Sequence, residues 1–235
     1  MSLMNLFWLE CSAADLPARQ DWLTAWESTR FREFRFAKRR ADWLLGRWTA
    51  KCAIAANLGS GVSIPIFRQI EIRPDESGAP QAFLDNLPVK MAVSISHRDG
   101  RALVAVAPAN ASMGCDLEIV ELRTDAFVRD FFTEEEVTKV QSCHEAEARQ
   151  VVVSLIWSGK ESALKALHTG LRMDTRSLSV QYAFESVSGT PWKQVRVIGL
   201  DGKSFEGWWL RSGAWLRTIV TSQRSGAPIL TRMSS

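Results

Sequence analysis

One stretch constrains the fold more than any other: Trp157-Ser158-Gly159-Lys160-Glu161-Ser162-Ala163-Leu164-Lys165-Ala166-Leu167. At 100° per residue, Val152, Leu155, Ile156, Gly159, Ala163, Ala166 and Leu167 fall on one narrow stripe. That spacing predicts an amphipathic helix over 145–167 with a single buried face. Trp157, Glu161 and Lys165 recur at i, i+4 and i+8 on the opposite side. A Glu-to-Lys pair at this spacing is ordinary on a solvated helix and stabilises by only about 0.2–0.5 kcal/mol. A tryptophan on the same line, with Leu164 beside it, argues instead for a face that lines a cleft.

The 235 residues are enough to bury a full core, as one large domain or as two of about 110 residues. A net charge of +3 is too small for a nucleic-acid binder, but its distribution is uneven. Arg30, Arg32, Arg35, Lys38, Arg39, Arg40, Arg47 and Lys51 face only Glu33 and Asp42 in one segment, whereas residues 111–235 hold fifteen charges of each sign. Such a patch suits a phosphate-rich small molecule or an acidic protein partner, and equally a solvated helix face. Cys11, Cys52, Cys115 and Cys143 are scattered, as reduced thiols of a cytoplasmic protein would be, with no disulfide or zinc spacing. No apolar run reaches membrane-spanning length, and Glu10 interrupts the start where a signal peptide stays apolar. A cytosolic protein without membrane partners is expected.

In chain order, residues 3–9 suggest an edge strand. Helical spacing dominates from Asp21 to Leu58, and Gly59-Ser60-Gly61 is a stop signal. Residues 64–72 read as β, and Pro74 to Pro80 as a turn-rich loop. Met91 to His97 and Arg101 to Ala107 alternate like a hairpin around Arg98-Asp99-Gly100. The small polar break Pro108-Ala109-Asn110-Ala111-Ser112 divides the chain into 1–111 and 112–235. Beyond it come a strand over 113–120, a helical region over 126–140, the helix over 145–167, and strands over 178–184, 194–198, 205–210 and 215–221. The last ten or so residues look frayed. Each half therefore reads as helices on a largely antiparallel sheet, an α+β fold, with similar element order but no close sequence repeat.

Gly114-Cys115-Asp116-Leu117-Glu118 is the second informative stretch. On a strand, Asp116 and Glu118 project to the same face. Paired carboxylates repel unless a cation lies between them or one is protonated. Their oxygens suit a hard cation, and Mg²⁺ is typically held by one or two carboxylates plus substrate phosphates. A strand carrying D-x-E can equally be solvent-facing. Glu161 adds a third carboxylate, Lys160 and Lys165 add cations for phosphate oxygens, and His97 ends a strand near the break. Together these residues suggest Mg²⁺-assisted phosphoryl-type transfer.

The two stretches in tandem resemble the paired signature of 4′-phosphopantetheinyl transferases, G-x-D-[hydrophobic]-E followed by W/F-x-x-K-E-[AS]-x-x-K. Ser94-Ile95-Ser96-His97, Phe131-Phe132-Thr133-Glu134-Glu135-Glu136, Leu44-Leu45-Gly46-Arg47, Gly170-Leu171 and Leu178-Ser179-Val180 also agree. Length and layout resemble the monomeric Sfp type, so the resemblance implies two similar halves related by a pseudo-twofold axis, with the active site at their interface. It implies transfer of the phosphopantetheine arm of coenzyme A to a serine of an apo acyl or peptidyl carrier protein, releasing adenosine 3′,5′-bisphosphate. By matching positions, Asp116 and Glu118 would hold Mg²⁺ (or Mn²⁺), and Glu161 would be third ligand, base or both. Lys165 would neutralise the pyrophosphate as its bond breaks, with Lys160 adding charge. Arg47, Ser96 and His97 match nucleotide-holding positions in the N-terminal half, and Lys51, one turn beyond Arg47, is added as a further phosphate contact. Gly78-Ala79-Pro80 departs from the Gly-Lys-Pro often found in the family. A non-catalytic coenzyme A or nucleotide-binding module would need the basic patch but not three carboxylates, and a carrier-binding scaffold would need neither metal nor coenzyme.

Overall fold

The computed structural model describes residues 3–232. The chain forms two compact units that change over between Ala111 and Ser112. One contains residues 5–111 and takes back 229–232, and the other contains 112–228 together with residues 3–4. Each is an α+β unit with its own apolar core.

The first unit begins with β1 (Phe7–Ser12), α1 (Ala25–Glu33) and α2 (Ala37–Asn57). The helical run therefore breaks at Phe34-Arg35-Phe36 into two helices. Thr24 and Glu27 form a capping box that starts α1. Next come α3 (Ile64–Phe67), β2 (Ile70–Pro74), β3 (Pro80–Leu84), β4 (Leu87–Pro88), β5 (Met91–Arg98) and β6 (Arg101–Pro108). The β expectation over 64–72 holds only from Ile70. Pro65 sits in the first turn of α3, where its missing N–H costs no helical bond. Strands β5 and β6 form the expected hairpin, with Asp99 and Gly100 both at positive φ. A two-residue turn of that hand matches the strand twist, and glycine adopts it without a Cβ clash.

The second unit holds β7 (Met113–Ile119), α4 (Asp125–Phe131), α5 (Glu134–Gln141) and α6 (Ala146–Ala166). Strands β8 (Leu178–Ser186), β9 (Lys193–Gly199), β10 (Ser204–Ser212) and β11 (Trp215–Thr221) follow. They form an antiparallel sheet in the order β7-β11-β10-β9-β8, and α6 lies along β7 and β11. The helical region over 126–140 is split by Thr133, whose capping box with Glu136 starts α5 anew. A final strand, β12 (Ile229–Leu230), runs parallel to β1 in the first unit's sheet β12-β1-β6-β5. Residues 229–230 are thus ordered rather than frayed, and β1 is an interior strand. Thr231 continues the pairing by donating to the Trp8 carbonyl, and 233–235 lie outside the described residues.

Helix α6 is more deeply packed than a single stripe implies. From Val151 to Ala166 every residue is buried except Trp157, Glu161 and Lys165. From Val151 onward the i, i+4, i+8 line is the one strip of this helix left open. Its close approach to the sheet depends on Gly114, because a Cβ there would lie 1.9 Å from the Ser162 carbonyl oxygen. That contact explains the glycine at the head of G-x-D-x-E. No helix among the described residues is long and apolar enough to cross a membrane.

Candidate active site

Strand β7 presents Asp116 and Glu118 on one face, opposite Thr218 and Leu216 of β11. Buried hydroxyls anchor α6 to that face. The Thr218 hydroxyl lies 2.8 Å from Ser158 Oγ and 2.6 Å from Ser162 Oγ. With the helix so placed, its open strip meets the strand carboxylates. Lys165 Nζ donates to Asp116 Oδ1 at 2.8 Å and to the Cys115 carbonyl at 3.0 Å. Trp157 Nε1 donates to Glu118 Oε1 at 3.1 Å, and Arg123 Nη2 to Glu118 Oε2 at 3.3 Å. Arg123 also pairs with Glu121 at 2.9 Å.

The electrostatics follow from this crowding. Burial pushes the Glu161 carboxyl above the usual glutamate range, the charge of Asp116 pushes it further, and Lys165 partly offsets both. Burial alone would depress the Lys165 ammonium, but Asp116, Cys115 and Glu161 outweigh it and hold the ammonium above the ordinary lysine value. Asp116, Glu161 and Lys165 thus interact in one poorly solvated strip, and Glu118 with Arg123 lies two residues along β7; the acids of the site are Asp116, Glu118 and Glu161. Their donors are all carboxylate oxygens, the chemistry that fits Mg²⁺. Among the described residues, no three His, Cys, Asp or Glu side chains are gathered tightly enough to hold a metal ion as they stand. Lys165 pairs with Asp116, and Arg123 with Glu118.

Lys160 requires a correction. It is fully buried, its Nζ 2.6 Å from Glu136 and donating to the carbonyls of Phe131 and Thr175 at 3.1 and 3.0 Å. Lys51 in the first unit is corrected for the same reason, with Nζ 2.5 Å from Glu27 and bonded to the carbonyls of Trp22 and Phe67. Both ammonium groups are saturated inside a core and do not reach a phosphate. The sequence places Lys160 beside Glu161, but adjacent helical residues point about 100° apart. Lys160 turns inward while Glu161 stays on the open strip.

Arg47, Ser96 and His97 belong to the first unit, on α2 and β5. The Arg47 guanidinium lies 5.0 Å over the Trp43 ring, and its buried Nε has no hydrogen-bond partner among the described residues. Burial pulls Arg47 down to about 10, against the opposing charge of Glu27. A desolvated guanidinium of this kind is suited to an anion. Ser96 is buried, and the half-exposed His97 has Nδ1 3.9 Å from Asp42. Ala79 lies in the β2–β3 turn, where its N–H donates to Asp75 Oδ1 at 2.9 Å. Sequence reasoning missed the roles of Trp157 and Arg123 toward Glu118. The only signal was that Trp157 shares a helical line with Glu161.

The family model for the 4′-phosphopantetheinyl transferase superfamily matches residues 112–215, and that for the 4′-phosphopantetheinyl transferase N-terminal domain matches 33–107. The holo-[acyl-carrier-protein] synthase of Streptococcus agalactiae serotype III (strain NEM316) is 38% identical over 84 residues, covering 36% of this chain and 71% of that protein. The holo-[acyl-carrier-protein] synthase of Anoxybacillus flavithermus (strain DSM 21510 / WK1) is 36% identical over 85 residues, covering 36% and 70%. Strand β7 and all of α6's open strip thus fall in one matched segment, and Arg47, Ser96 and His97 in the other. With both segments matched in this order, the chain belongs to the 4′-phosphopantetheinyl transferase superfamily, as an enzyme of its two-domain Sfp type.

Proposed function

We propose that this enzyme transfers the 4′-phosphopantetheine arm of coenzyme A to a serine of an apo acyl or peptidyl carrier protein, with Mg²⁺, releasing adenosine 3′,5′-bisphosphate. The observation that carries the reading is the strip on α6, where Lys165 bridges Asp116 and the β7 backbone beside a Glu161 whose carboxyl is raised. Asp116, Glu118 and Glu161 are the carboxylates to hold the metal. When bound, Mg²⁺ supplies charge neutralisation at the pyrophosphate oxygens. Lys165 sets a fixed positive charge where negative charge grows on the departing phosphate. In this reading Glu161, as a carboxylate, takes the proton of the carrier serine, whose oxygen joins the phosphorus bearing the pantetheine arm. The phosphorus–oxygen bond to the adenosine bisphosphate then breaks. Arg47, Ser96 and His97 are assigned to the nucleotide, supported by the desolvated Arg47 guanidinium and the matched N-terminal segment.

The test is the mass of an apo-carrier protein incubated with coenzyme A and Mg²⁺. The wild-type enzyme adds a phosphopantetheine, and chelating the metal stops it. Asp116→Ala keeps a folded circular-dichroism spectrum and lowers turnover by roughly 10²-fold or more, the scale on which a lost charge-stabilising group acts. Near-normal turnover in that variant removes the metal assignment.

A further inference from the structure

We infer that Trp157 is a positioning residue for Glu118, fixing through its indole N–H the orientation in which that carboxylate meets a divalent cation. The inference rests on the reading of Glu118 as a metal ligand and adds a residue to it. The Trp157 ring packs edge-on against both Phe127 and Phe131, with centroids 5.0 and 5.2 Å away. Its N–H is therefore aimed by packing rather than by a flexible side chain. The acceptor, Glu118 Oε1, is 3.1 Å away on a strand 39 residues distant in the chain. Glu118 is only 8% exposed, so water offers little competing hydrogen bonding. A hydrogen bond to an orienting partner fixes a ligand's direction and saves the metal from ordering it.

The first unit supplies an internal comparison. Trp48 lies on α2 where Trp157 lies on α6, three residues before the buried lysine in each helix. It too packs edge-on against aromatic rings, Trp22 at 5.3 Å and Phe67 at 4.9 Å. Aromatic packing is thus common to both helices, whereas the bond to a β7 carboxylate belongs to Trp157. Arg123 acts on Glu118 with the opposite sense. Its guanidinium, 5.1 Å over the Phe127 ring, reaches the other carboxylate oxygen and supplies positive charge that a metal must displace or share. Removing Trp157's N–H should weaken the metal, while removing Arg123's charge should tighten it.

The experiment measures Mn²⁺ binding to the enzyme–coenzyme A complex by electron paramagnetic resonance, beside the Mg²⁺ activation constant for transfer. Trp157→Phe keeps the ring contacts and deletes the N–H. It should weaken Mn²⁺ by roughly 10-fold or more, the usual scale for such orienting partners, and shift the Mg²⁺ activation constant more than kcat. Arg123→Gln should bind Mn²⁺ more tightly than the wild type. Trp48→Phe, the packing control, should leave Mn²⁺ affinity unchanged. Wild-type affinity in Trp157→Phe overturns the inference, and so does weaker binding in both Trp157→Phe and Arg123→Gln, which marks general loosening. Glu118→Gln separates the two layers. If that variant binds Mn²⁺ like the wild type, Glu118 is no ligand and the functional reading itself fails. If it loses Mn²⁺ while Trp157→Phe does not, only the inference fails.

Discussion

Arg47 shows how a single side chain can carry a binding cost before any ligand arrives. Its Nε is buried without a partner among the described residues, and burial lowers its pKa to about 10. The energetic strain is removed either by an anion or by removing the charge. Arg47→Met keeps the aliphatic stem against Trp43 and deletes the unpartnered Nε together with the charge. It should stabilise the ligand-free enzyme by about 1 kcal/mol, the scale of an unmet buried donor. On the proposed assignment of Arg47 to the nucleotide, the same change should raise KM for coenzyme A by roughly 10-fold through loss of a charge-assisted contact to phosphate. Urea unfolding and steady-state kinetics check the two halves of this prediction. Lower stability with an unchanged KM would make Arg47 a structural residue.

At the scale of elements, α2 and α6 are fastened by the same device. In the first unit Glu27 closes a capping box with Thr24, accepts from the Ile72 N–H and pairs with Lys51. In the second, Glu136 closes a box with Thr133, accepts from the Val180 N–H and pairs with Lys160. Threonine, glutamate and lysine are each 109 positions from their counterparts (24 and 133, 27 and 136, 51 and 160). Since Lys51 fastens a helix that carries no carboxylate of the candidate site, the device serves the fold. It holds a helix against the turn before it and the strand after it. Removing one member strands a buried charge, which costs about 3–5 kcal/mol. Lys160→Met and Lys51→Met should each lower unfolding free energy by that much in urea titrations. A loss below about 1 kcal/mol in either would show that the pair is not what holds its helix.

For the whole molecule, binding to the native state alone must raise stability by mass action. Coenzyme A at about 100 times its dissociation constant, with Mg²⁺ present, should add ~2.7 kcal/mol. For a chain of this size that is roughly 5–10 °C in Tm. Scanning calorimetry with coenzyme A, with and without a chelator, checks this directly. A shift that survives the chelator in full would take the metal out of the coenzyme complex. No shift at all would contradict coenzyme binding.

Much of this was legible from periodicity. The run Val152 to Leu167 dictates a helix because apolar side chains recur at its turn, and the same arithmetic puts Trp157, Glu161 and Lys165 on one line. Alternation on β7 puts Asp116 and Glu118 on one face. These are local rules, acting over a few residues, and sequence alone suffices for them. Partners were another matter. Lys160 and Lys165 are both cations on α6, yet one ends in a core beside Glu136 and the other on Asp116. The 109-residue recurrence is faint in the sequence because it resides in a few polar residues set among interchangeable apolar ones. Which donor meets which acceptor across 24 to 60 positions depends on how helix and sheet stack, down to a missing Cβ at Gly114. Periodicity determined which side chains share a face, and only tertiary packing decided what each face meets, because an unpaired buried charge is costly and the partner that relieves it is near in space rather than along the chain.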